Sequence, residues 1–225
     1  MRKKSAGLLA ILLCICLAAC TAQNEPGVET EVTEGISVPV REENQQALDM
    51  AKDYLAVTSF SYLALVDQLK IEGFSESAAL YAVQNCGADW YIQARESARA
   101  YLQSGSFSGD GLYEMLIFSR FTQEEATHAV ENCGADWNAQ ALKAAQSYLA
   151  FLAFSRKGLE EQLAFEQFTQ EQIDYALDNC GADWNAQAVK CAESYLETAG
   201  AEGLAAYLQT QGFTQEQIDH AIAQQ

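Results

Sequence analysis

The sequence predicts an all-α fold, a tandem array of four ~47-residue three-helix repeats behind a lipoprotein signal and a disordered acidic spacer. Three observations predict it. The hexapeptide Asn-Cys-Gly-Ala-Asp-Trp recurs at 85–90, 132–137 and 179–184, with a constant spacing of 47 residues. A Tyr-Leu pair keeps the same period at Tyr54, Tyr101, Tyr148 and Tyr195, and a Phe-Ser pair does so at Phe60, Phe107 and Phe154. Between these markers apolar residues follow a helical period of about 3.6 residues.

The third copy serves to justify the elements. Asp136 is placed to cap a first helix whose stripe runs Trp137, Ala141, Leu142, Ala145, Tyr148, Leu149 and Leu152. Ser155 caps a short second helix with Leu159 and Leu163 on one face, and Thr169 caps a third with Ile173, Ala176 and Leu177 inward. Thr169–Gln172 spells a capping box, repeated at Thr122–Glu125 and Thr214–Gln217, whereas Ser75–Ala78 keeps only the cap. Phe154 before the second helix and Phe168 before the third stand at hydrophobic-staple spacing from Leu159 and Ile173. Gly73 and Gly212 fall where the second helix must end in a left-handed turn, and Arg120 and Gln167 hold that place in the middle copies. A unit this short buries little surface alone, so neighbours are expected to pack on one another. The expected organisation is a signal over 1–19, Cys20 and spacer over 20–44, and repeats over 46–92, 93–139, 140–186 and a truncated 187–225.

The N-terminus reads as an export signal. Arg2, Lys3 and Lys4 precede an apolar stretch of 14 residues, Ala6–Ala19, shorter than the ~20 a membrane-crossing helix needs. It ends in Leu17-Ala18-Ala19-Cys20, a bacterial lipobox pattern in which the Cys20 thiol accepts the diacylglyceryl group. The competing reading is an ordinary secretory signal with a chance cysteine. Residues 21–44 contain both prolines, Pro26 and Pro39, several glutamates and no aromatic residue. As a flexible coil this spacer would reach roughly 27 Å. It would hold the repeats at the outer face of the cell membrane, tethered through lipid on Cys20.

Charge excludes one class of partner. Removing residues 1–19, with their three basic residues, from 13 Lys+Arg against 31 Asp+Glu leaves a formal net charge of −21. The second and third helices of each copy have helix-turn-helix shape, but the third carries Glu124 and Glu125 or Glu171 and Asp174 where DNA phosphates would lie. Nucleic-acid binding is not expected.

No constellation suggests catalysis, a cofactor or a metal. Cys86, Cys133 and Cys180 are equivalent residues of successive units, with no Cys-x-x-Cys and no neighbouring His, and Cys191 replaces Ala144 of the preceding copy. Disulfides are permitted in an exported chain, but buried structural thiols fit this pattern better. His128 and His220 stand where Tyr81 and Tyr175 stand in other copies, as fillers of a half-buried slot. Trp90, Trp137 and Trp184 could form a ligand cage, yet their stripe register favours packing. Glu124, Glu125, Glu131, Glu160, Glu161, Glu171, Asp174 and Asp178 lie off the apolar stripes. They form either a solvated face or a candidate docking face for a basic or extended polypeptide.

The run Ala141-Leu142, Tyr148-Leu149, Phe154-Ser155, Leu159, Gln162-Leu163, Phe168-Thr169, Glu171 and Asp183-Trp184-Asn185 resembles the Ltp-type repeat of host-cell-surface-exposed lipoproteins from Gram-positive bacteria and their phages. The resemblance spans 46–225 and the order of lipobox, spacer and repeats. It implies a non-enzymatic surface protein that excludes superinfecting phage by blocking DNA injection, through an acidic helical surface that engages a phage tape-measure protein. The alternative is a cell-envelope scaffold or adhesion module that binds a host or bacterial protein.

Overall fold

The computed structural model describes residues 40–225, and Cys20 with most of the spacer lies outside them. Twelve helices and no strand occur among the described residues. They form four triplets. The first is α1 (Val40–Val57), α2 (Tyr62–Ile71) and α3 (Glu76–Asn85); the second is α4 (Trp90–Ser104), α5 (Gly109–Phe118) and α6 (Gln123–Asn132). The third is α7 (Trp137–Phe151), α8 (Arg156–Phe165) and α9 (Gln170–Asn179); the fourth is α10 (Trp184–Ala199), α11 (Leu204–Thr210) and α12 (Gln215–Ala223).

The hexapeptide is the joint between one triplet and the next. Cys86, Cys133 and Cys180 are the C-cap residues of the third helices, and the glycine after each, Gly87, Gly134 or Gly181, takes a φ of 74–78°. That left-handed turn stops the helix without a Cβ penalty. Two residues later Asp89, Asp136 or Asp183 accepts hydrogen bonds from the first-turn N–H groups of the next helix. Stop and restart thus occupy six residues. For this reason the expected repeat boundaries at 93, 140 and 187 fall inside α4, α7 and α10, three residues after each helix begins.

Within each triplet the first and third helices make the main contact and the second packs on both. Small side chains line that contact: Ala94 and Ala98 meet Ala126 and Ala129, and Ala141, Ala144 and Ala145 meet Ala176. Alanine brings helix axes close, and the second helix closes the core with two fully buried leucines, such as Leu159 and Leu163. Each triplet has its own core. Cys191 replaces alanine in the fourth core and is buried there beside Ala188 and Ala192.

Two expectations need correction. The helix α1 starts at Val40, so residues 40–44 are helical and do not belong to a disordered spacer. Glu42 and Glu43 in its first turn favour a helix N-terminus, and Glu43 accepts the Ser75 N–H at 2.7 Å. In the other units that cap N–H is taken by Glu125, Gln172 or Gln217 of a capping box. The first unit has Ala78 there, and the extra turn of α1 supplies the missing acceptor. That bond holds the Glu43 carboxyl below its ordinary range. Leu152, read as part of the buried stripe, is 57 % exposed. The helix ends at Phe151 and Leu152 is an extended cap residue, so the helical projection no longer applies to it.

Arg120 and Gln167 do adopt the left-handed turn that glycine makes at Gly73 and Gly212, with φ of 67° and 65°. Their side chains reach back across the unit boundary. Arg120 pairs with Asp67, and Gln167 donates to Glu114 at 3.0 Å. Gly212 has no such role, and a Cβ there would stand 3.0 Å from Ser155 Oγ and 3.2 Å from Lys157. Gly212→Ala is therefore expected to lower stability by about 1–2 kcal/mol, the left-handed penalty for a residue with a Cβ. Urea denaturation checks it; an unchanged midpoint would contradict the reading.

Candidate functional site

The units are held together by one recurring device. Ser61, Ser108 and Ser155 are nearly fully buried, and each caps the start of the second helix of its unit. Each Oγ accepts a first-turn N–H of its own helix. Each O–H then donates to a C-cap carbonyl of the next unit: Ser61 to Ser119 at 2.7 Å, Ser108 to Glu166 at 2.5 Å, Ser155 to Gln211 at 2.6 Å. A hydroxyl can do both because it is donor and acceptor at once. In the fourth unit Gly200–Gly203 replaces the Phe-Ser cap, and α11 starts on Gly203 with no side-chain bond. Trp90, Trp137 and Trp184 tighten the same boundaries, since each packs on the core of the unit before it. Trp90 meets Tyr62 edge-on at 5.4 Å.

The three joints are not identical. Gln93 accepts the Phe60 N–H and Gln187 accepts the Phe154 N–H, both at 3.3 Å, across the first and third joints. Gln140 is the equivalent residue at the middle joint, and its buried Oε1 has no partner among the described residues. A groove of about 770 Å³ opens at that joint. One wall comes from the second unit, with Phe107, Gly111 and Glu114; the other comes from the third, with Tyr148, Phe151, Leu152, Phe165 and Glu166. Phe151 is 84 % and Phe165 83 % exposed. The equivalents of Phe151 and Leu152 are Ser104 and Gly105 in the second unit and Thr198 and Ala199 in the fourth. Burial holds the Glu166 carboxyl above its ordinary range, and Tyr148 donates its hydroxyl to it. Periodicity could not have revealed this groove, because it depends on how two units meet.

The eight acidic residues singled out from sequence are all on the surface or half-buried, but they are divided among α6, α8 and α9. Several have local partners. Glu125 closes the capping box on Thr122, Asp178 pairs with Arg156 at 2.7 Å, and Glu161 lies 3.6 Å from Lys157. Gln170 donates to Asp174 at 2.9 Å and to Glu160 at 3.4 Å. Glu124, Glu131 and Glu171 make no ion pair among the described residues.

Cys86, Cys133, Cys180 and Cys191 are all free thiols, with Cys133 and Cys191 buried and the other two half-buried. Cys86, Cys133 and Cys180 donate S–H to the carbonyl three residues back, and burial pushes the Cys191 thiol up. Titration of the denatured mature chain is expected to find four thiols before and after reduction; fewer before reduction would reveal a disulfide. His128 fills its slot edge-on to Tyr91 at 5.1 Å, whereas His220 is exposed in the last turn of α12. No group of three or more His, Cys, Asp or Glu is placed to hold a metal ion among the described residues. No described helix is long and apolar enough to cross a membrane.

Capped three-helix units, chained by a repeated serine bond, define the molecule as a helical-repeat protein. The family of host cell surface-exposed lipoproteins, Ltp, matches residues 42–86, 89–133, 136–180 and 183–224. The chain belongs to this family. Its repeat frame follows the helix triplets. Among solved structures the chain is similar to Ltp, a superinfection exclusion protein from the Streptococcus thermophilus temperate phage TP-J34, at 39 % identity and a TM-score of 0.40. That match covers 43 % of this chain and 98 % of the phage protein. No curated protein matches.

Proposed function

We propose that this chain is a lipid-anchored superinfection-exclusion protein that blocks delivery of phage DNA by binding an injected phage polypeptide of the tape-measure type. The observation that carries the reading is membership of the surface-exposed lipoprotein family together with 39 % identity to a phage superinfection exclusion protein. The lipobox at Cys20 and the spacer support a position just outside the bilayer, where a polypeptide entering the cell would pass. The net charge of −21 after residues 1–19 favours a basic protein over nucleic acid or anionic lipid. Binding alone would suffice to stall injection, so no catalytic group is required.

Expression in a phage-susceptible host tests the proposal. Plaque formation is expected to fall by orders of magnitude while adsorption stays normal, and Cys20→Ala, which stays an unprocessed precursor, is expected to restore plaques. Normal infection across a panel of phages would overturn the proposal and leave the envelope scaffold as the reading to pursue.

A further inference from the structure

We propose that the groove between the second and third units is a docking site for a foreign polypeptide segment that carries apolar side chains flanked by lysine or arginine. The inference deepens the exclusion reading and rests on it for the source of the segment. The location comes from two departures from the repeat and the concavity they adjoin. Only this joint leaves its glutamine acceptor, Gln140, unpaired among the described residues. Only the third unit ends its first helix in a Phe-Leu pair, where other units have Val57-Thr58, Ser104-Gly105 and Thr198-Ala199. Phe151, Leu152 and Phe165 then surround one concavity with their side chains largely in solvent. Single exposed apolar residues are ordinary, but three around a groove form a patch of the kind that marks an interaction surface.

Charge selects the occupant. Glu114 and Glu166 are the charged residues of the lining, and no lysine or arginine lines it. Lys143, in the same helix as Phe151, donates its ammonium protons to the Leu102 and Gly105 carbonyls across the joint. A second copy of the chain would bring a net charge of −21 to an acidic groove, and the segment over 21–39 is acidic as well. Anionic lipid headgroups are repelled in the same way. A basic segment with apolar side chains satisfies both features, with aromatic anchors in the groove and charge at its rim. This places recognition at a joint, and distinguishes it from the acidic helix faces of α6 and α9.

The test uses the purified full-length chain and two dye-labelled synthetic amphipathic helices, one of leucine and lysine and one of leucine and glutamate. Fluorescence anisotropy is expected to show binding of the lysine helix, weakened by salt, and none of the glutamate helix. The F151S/F165S double variant, altered only at exposed positions, is expected to bind about tenfold more weakly or worse. Phe118→Ser, at the place in the second unit equivalent to Phe165, is expected to bind as the parent does. Equal affinity of the double variant and the parent, or equal binding of the glutamate helix, would overturn the proposal. So would self-association of the chain that F151S/F165S abolishes, since the occupant would then be a second copy. Plating of phage on cells that express the parent tests the exclusion reading separately. A chain that binds the lysine helix through the groove but excludes no phage refutes that reading and leaves the groove standing.

Discussion

Replacing Leu163 with alanine is expected to unfold the third unit while α1–α3 stay protected from hydrogen exchange. Leu163 is fully buried beside Leu159, Phe168 and Ile173 in a core that belongs to that unit alone. A buried leucine cut to alanine loses about 2–5 kcal/mol. A unit of this size has little stability to spare, because small units bury a small share of their surface. In an array, stability is a sum of unit terms and nearest-neighbour terms, so the loss stays local. Exchange followed by mass spectrometry should show amides of 137–179 opening first. The flanking units should soften only where they touch the third, since Ser108 loses the Glu166 carbonyl and the Gln211 carbonyl loses its Ser155 donor. Uniform loss of protection along the chain would mean that the four cores act as one.

Ser108→Ala is expected to cost about 2–4 kcal/mol, well above the ~1 kcal/mol typical of a helix-cap serine. The excess has a definite origin. Besides removing the cap to Gly111, the change leaves the Glu166 carbonyl without its donor at a buried joint, a loss of about 1–3 kcal/mol. Ser75 is the internal control. It caps α3 through Ala78 in the same way, but it is exposed and bonds to no other unit. Ser75→Ala should therefore show the cap cost alone. Urea denaturation of the two variants measures the joint by difference, and equal costs would show that the serine bond contributes nothing between units.

These two residues also show how much could be read from sequence. The caps, the staples and the leucines of the second helix follow from spacing, and the structure places Ser155, Thr169, Leu159 and Leu163 as that spacing predicts. Local chemistry is legible because its partners lie within a few residues. The second half of each serine's role was not, since its acceptor lies 56–58 residues away on another unit. The tryptophans were legible as packing residues but not as plugs in the preceding core, because a periodic pattern carries no mark of where one unit ends. Arg120 and Gln167 stand where glycine is expected, and only the structure sets their side chains against Asp67 and Glu114. The groove was invisible for the same reason. Leu152 reads as the end of a buried stripe, and only the stop at Phe151 turns it outward.

By the proposed function, a tethered helical array stops phage DNA from entering a cell to which the phage has already bound. The most direct measurement is the amount of phage DNA inside cells shortly after adsorption, with and without the chain. Unchanged adsorption, a collapse of intracellular phage DNA in cells that express the chain, and recovery of entry with Cys20→Ala are expected of this block to entry. Phage DNA entering those cells at the same level as in cells that lack the chain would contradict it.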